Sequence, residues 1–134
     1  MANYVKYQCF VEDLAEGKHN LSSDAITVAL SNTAPNAGTH VKLADVTAVS
    51  TANLDDITLT VSSSSQTSGT YKLVLADLTM TASGAVGPFQ YVIIYNDTAA
   101  NKPLICYFDY GSEVTLASGD TFKLDFGTEL FSLA

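Results

Sequence analysis

The sequence predicts a mainly-β domain: an antiparallel β-sandwich or jelly-roll-like fold with one short N-terminal helix. Three observations predict it. Short alternations of apolar and polar residues recur along the chain, as at Tyr71, Leu73 and Leu75, or Phe122, Leu124 and Phe126, and period two is the signature of a strand with one buried face. Turn residues separate these runs at intervals of roughly eight to twelve residues, the spacing of a sandwich. Strands do not alternate with helical segments, which excludes a parallel βαβ sheet. A small closed barrel is the second architecture compatible with this pattern. With 134 residues the chain is read as a single domain, 1–134, large enough to bury a core of its own.

Taken in order, Tyr4, Tyr7, Phe10, Val11 and Leu14 recur at steps of three and four, with Gly17 placed to stop a helix and Lys18 beside the negative end of its dipole. This predicts an amphipathic helix of about three turns. Ile26, Val28 and Leu30 alternate into the turn-rich stretch 31–38, a strand followed by a loop. Residues 43–49 (LADVTAV) fit a short strand or a helical turn equally well. Ile57, Leu59 and Val61 predict a strand, and the serine-rich stretch 62–69 (SSSSQTSG) an intradomain loop.

The stretch 67–110 holds the longest apolar runs and most of the aromatics. After Leu75 the alternation changes parity at Leu78, Met80 and Ala82, so the backbone is expected to bulge or bend near Ala76 and Asp77. Residues 83–88 (SGAVGP) carry two glycines and a proline that cannot donate to a ladder, and are read as a connection. A strand is expected from Phe89 to Tyr95, apolar on both parities and therefore covered on both faces. Residues 96–103 form the long loop of a hairpin returning through 104–110. Gly111 and Ser112 are read as a turn, and residues 117–120 as a second turn joining Val114 and Leu116 to Phe122, Leu124 and Phe126 in a hairpin. The expected core is Leu73, Leu75, Tyr91, Ile93, Ile94, Phe122 and Leu124.

Composition excludes several function classes. Fourteen acidic residues against six lysines and no arginine leave a formal charge of −8. A polyanion is repelled and the bidentate donor that dominates phosphate recognition is missing, so neither nucleic acid nor an anionic membrane surface is an expected partner. No run reaches the length of a membrane span, and residues 1–20 lack the pattern of a secretory signal, so a soluble protein is expected. Cys9 and Cys106 are too few for a zinc site and are expected to be buried free thiols, with a bridge between them the alternative that sequence leaves open. His19 and His40, in polar surroundings, are expected to face solvent.

Catalytic chemistry finds no foothold. Asp55, Asp56, Asp77, Asp97, Asp109, Asp120 and Asp125 are scattered rather than paired, and are read as surface charge. No nucleophile elbow, calcium loop or other metal-ligand spacing occurs, so no catalytic residue, cofactor or metal is expected. Tyr91, Tyr95, Tyr107 and Tyr110 suit strand edges, and in principle a sugar-binding face. What remains unassigned is apolar surface at both chain ends. Tyr4, Tyr7, Phe10 and Leu14 at one end, with Leu130, Phe131 and Leu133 at the other, are the candidate contacts with a neighbouring subunit or protein surface.

Residues 63–98 (SSSQTSGTYKLVLADLTMTASGAVGPFQYVIIYNDT) and 103–126 (PLICYFDYGSEVTLASGDTFKLDF), together with FVEDLAEGKHNL at 10–21 and ALSNTAP at 29–35, resemble a family of small structural proteins of tailed bacteriophages. The resemblance covers most of the chain. It departs in the segment before DYGS where aromatics are expected, here Ile105, Cys106, Tyr107 and Phe108, and in a shortened end, 127–134. It implies a non-enzymatic virion protein made in the host cytoplasm: a head decoration or cement protein on the outer capsid lattice, partnered by the major capsid protein and by itself as a homotrimer. The alternative it allows is a tail or host-adhesion component, a carbohydrate-binding β-module.

Overall fold

A computed structural model describes residues 3–134, and it is mainly β with one short helix. In chain order the elements are β1 (Asn3–Lys6), α1 (Gln8–Ala15), β2 (Ile26–Ser31), a 3-10 turn (Leu43–Asp45), β3 (Ala48–Val49), β4 (Thr58–Leu59), β5 (Val61–Thr67), β6 (Thr70–Leu75), β7 (Leu78–Thr81), β8 (Val86–Asn96), β9 (Leu104–Leu116), β10 (Thr121–Leu124) and β11 (Phe131–Leu133). The largest sheet runs β1-β9-β8-β2-β3, with β4 also on β2; smaller sheets are β11-β6-β5 and β10-β7. All pairings are antiparallel.

The large sheet is covered on both faces, as the apolar character of both parities of β8 requires. Val28, Leu30, Val92, Ile94 and Cys106 face the smaller sheets, where they meet Leu73, Leu75, Met80 and Leu124 in the main core. Ala29, Ile93, Tyr95 and Leu104 point the other way and are closed over by Tyr7, Leu43 and Val46. This gives a sandwich-like body with a thin second cover. Of the expected core residues, Leu73, Leu75, Ile93, Ile94 and Leu124 are buried, while Tyr91 and Phe122 are half-buried against it.

The parity change after Leu75 is the point where the chain leaves one sheet for another, β6 lying on β5 and β11 while β7 lies on β10. Elsewhere tertiary pairing overrides local pattern. The expected three-turn helix shrinks to α1, because residues 3–6 pair as a strand with residues 106–109 of β9 and put Tyr4 opposite Phe108. Three turns of isolated helix are marginal in water, so an available ladder wins. The stop at Gly17 holds: its φ is +78°, and the N–H groups of Gly17 and Lys18 donate to the carbonyls of Leu14 and Asp13 in a Schellman closure.

The serine-rich stretch is a strand rather than a loop. β5 pairs along β6 around a tight turn at Ser68 and Gly69, both in the left-handed region at φ 52° and 83°. Its side chains are mostly exposed, so an edge strand needs no apolar alternation. Residues 86–88 belong to β8, with register irregularities flanking Phe89 and a cis Gly87-Pro88 bond. Gly111, at φ +87°, bends β9 without ending it. The turn at 117–120 forms, yet β10 pairs with β7 and not with β9, and Phe122 stands edge-on to both Phe89 of β8 and Tyr110 of β9.

Candidate interaction surface

Both chain ends arrive at one place. β1 is the outer strand of the large sheet and β11 the outer strand of a small one, and α1 lies between them. Tyr4, Phe10, Leu14, Phe131 and Leu133 line a groove of about 630 Å³ with Lys6, Val11, Ala15 and Ser132. Phe10 is its buried floor, edge-on to Phe131 with ring centroids 5.2 Å apart. Five of the seven end residues expected from sequence as contacts therefore share a site. The other two do not. Tyr7 is fully buried in the second cluster against Tyr107, and Leu130 is buried in the main core with its N–H donating to the Leu73 carbonyl at 2.7 Å.

A second groove, of about 510 Å³, opens between β9 and β10. Phe108, Tyr110, Phe122, Leu124 and Phe126 form its apolar wall, flanked by Lys123 and Asp125. It exists because β9 and β10, neighbours in sequence, pair with other strands. The two grooves meet at the Tyr4 and Phe108 rings, which stand edge-on at 5.5 Å. Tyr4, Val11, Tyr110 and Leu133 are 38%, 53%, 45% and 54% exposed, and all four line one groove or the other. Large apolar groups scattered singly over a surface are ordinary, but several gathered on adjoining grooves mark a contact region.

The second groove was not legible in sequence. A hairpin between β9 and β10 would have closed it, and the alternation of Phe122, Leu124 and Phe126 after a turn points to that hairpin.

The remaining chemistry-bearing residues have structural work. Asp55, Asp77, Asp120 and Asp125 each accept a backbone N–H at 2.8 to 3.0 Å, from Thr81, Phe126, Ala117 and Gly127. Asp56 accepts from the Thr58 N–H at 2.8 Å, and Asp109 from the Gly111 N–H and Gln90. Asp97 pairs with Lys102 at 2.8 Å. These carboxylates hold turns and bulges rather than converge on a cleft. Among the described residues Glu12, Asp13 and Glu16 lie close enough together to hold a cation, and Lys18 already reaches Asp13 at 3.2 Å and Glu16 at 3.7 Å.

Cys9 and Cys106 are free, half-buried and buried respectively. Burial pushes both thiols up, away from the thiolate that reacts. Tyr95 is buried, Tyr91 and Tyr107 are half-buried and edge-on to each other, and Tyr110 stands exposed at the second groove. His40 is half-buried, with Nδ1 accepting from the Asn36 N–H, and His19 is buried rather than exposed as expected. His19 is drawn in because its ring packs edge-on to Phe10 at 5.2 Å. Among the described residues no helix is long and apolar enough to cross a membrane. No protein-family model, no curated protein and no solved structure matches the chain.

Proposed function

We propose that this is a non-enzymatic structural protein of a tailed-phage particle, a head decoration protein that docks on the outer capsid lattice and stabilises it. The observation that carries the docking role is the apolar surface spread over two adjoining grooves, built from both chain ends and rich in aromatic side chains. The particle is supplied by the resemblance of residues 63–98 and 103–126 to phage structural proteins. An acidic surface without arginine suits a component outside a DNA-filled shell. A homotrimer on local three-fold positions would multiply each contact, and binding to the assembled shell alone would stabilise it by mass action.

A second reading, a tail or host-adhesion module that binds glycan, is favoured by Tyr110, exposed beside Lys123 and Asp125 at the mouth of the second groove. Aromatic faces with flanking polar groups are suited to sugar rings. A density map of the intact particle decides between the two. Density on the capsid exterior, with loss of head heat resistance when the protein is stripped away, is the expected result; density on the tail overturns it in favour of adhesion.

A further inference from the structure

His19 is 7% exposed, and its surroundings admit one protonation state. Its Nδ1 lies 3.0 Å from Nδ2 of Asn96, a fully buried residue at the end of β8. The Asn96 amide cannot turn round without losses, because its Oδ1 accepts the backbone N–H groups of Thr98 at 2.9 Å and Ala99 at 3.1 Å. Its Nδ2 must therefore be the donor, given to Asp24 Oδ2 at 2.7 Å as well as to His19. Nδ1 of His19 is then an acceptor and the ring proton sits on Nε2, which is buried and meets no hydrogen-bond partner among the described residues. A second proton would set an N–H against an N–H at Nδ1 and leave both ring donors unpaired away from water.

We propose that His19 is an acid-operated latch: protonation of its imidazole releases residues 17–24 from the end of β8 and withdraws the support behind Phe10, the floor of the first groove. The segment is anchored by Leu21, buried in the main core, and by Lys18 on Asp13, while its ties to the end of β8 are few. Asp24 Oδ2, which holds Asn96, also accepts the Asn20 N–H at 2.8 Å; Ala25 donates to Thr98 Oγ1 at 2.8 Å and accepts from the Asp97 N–H at 2.8 Å. Loss of the central histidine contact loosens this short chain of bonds. On the other side the rings of His19, Phe10 and Phe131 stand edge-on in series at 5.2 Å each, so the latch and the groove share a wall.

The charged groups facing the imidazole are Asp13 of α1 and Asp24 and Lys18 of its own segment, while β8 presents the neutral Asn96. The two carboxylates favour the imidazolium and the lysine opposes it. Burial outweighs the carboxylates and holds the ring below the usual histidine range. Opening lets the ring titrate normally, so between the two values the open population grows by up to about tenfold per pH unit. This inference is independent of what the groove binds.

Imidazole nitrogen NMR and amide hydrogen exchange on the whole protein between pH 8 and 5 test it. The expected result is an Nε2–H tautomer at pH 7.5, a His19 titration below the usual histidine range, and a fall in protection at Asp24, Ala25 and Asp97 as the pH drops from that range towards the His19 titration, up to about tenfold per unit after correction for intrinsic exchange. Amides of Val28 and Ile94 should keep their protection. His19→Phe, which retains the ring contact with Phe10, should abolish the acid-dependent fall. An Nδ1–H tautomer, or protection that does not change between the usual histidine range and the His19 titration, overturns the latch, as does an unaltered acid response in His19→Phe. If that variant fails to fold, the tautomer and exchange results on the natural protein decide alone.

Discussion

Single residues in this protein are held by backbone groups more than by one another. Asp45 accepts the N–H groups of Val41 and Lys42 at 2.9 and 3.2 Å, and these bonds pull its carboxyl below the usual range. A depressed carboxylate contributes stability above its unfolded value and loses it as the pH falls through the folded one. Asp45→Asn should therefore lower the melting temperature at pH 7 and flatten its fall on acidification below about pH 4. Parallel slopes for the two proteins would refute the assignment. Tyr7 makes the converse case. Its buried hydroxyl meets no partner among the described residues, and an unsatisfied buried polar group costs about 1–3 kcal/mol. Tyr7→Phe should be neutral or stabilising in denaturant melts, and a loss above about 1 kcal/mol would reveal a bond to that oxygen.

At the scale of elements, stability rests on strands that leave their sequence neighbours. β10 turns from β9 to pair with β7, and Phe122 anchors it edge-on to Phe89 and to Tyr110, with centroids 5.3 and 5.4 Å apart. Phe122→Ala removes both contacts and half-buried apolar area, for which about 1–3 kcal/mol is expected. The loss should appear in urea melts together with faster exchange at Lys123 and Thr79, which sit in register; a change below about 0.5 kcal/mol would mean β10 is held otherwise. Gly87 marks a second such place. Its φ is +104°, and an added Cβ would stand 2.7 Å from the Val114 carbonyl oxygen, whereas at Gly69, also left-handed, nothing lies within 4 Å. Gly87→Ala should cost clearly more than Gly69→Ala, for which about 1 kcal/mol is expected. Equal costs would show that β8 and β9 yield at this point.

At the scale of the molecule, the proposed function assigns the two adjoining grooves to binding rather than to folding. Val11 and Leu133 are more than half exposed, so Val11→Glu and Leu133→Glu should each change stability by no more than about 0.5 kcal/mol. Under the proposed function the pair should abolish capture of the protein by stripped phage heads, measured by sedimentation of the particles. Undiminished capture would separate the first groove from docking. Asp45, Phe122 and Gly87 test the fold alone, so their outcomes stand whatever the particle does.

The sequence by itself determined what depends on near neighbours along the chain. Period-two runs announced the buried strands around Leu73, Ile93 and Leu124. The parity change near Ala76 announced a bulge or bend, at the point where the chain turns out to change sheets. Gly17 announced the end of a helix, and the apolar chain ends announced most of the first groove. Tertiary structure decided what depends on which partner a strand finds. Residues 3–6 became a strand because β9 had an open edge, the serines of β5 because β6 did, and Gly111 became a bend because β8 continued alongside. The same reason hid the second groove, which exists only because β9 and β10 do not pair. It hid His19 as well: a histidine among polar neighbours in sequence is buried by Phe10 and Asn96, nine and seventy-seven positions away. Periodicity reports which side of an element is apolar, but strand pairing is a choice among distant backbones whose hydrogen-bonding groups are all alike.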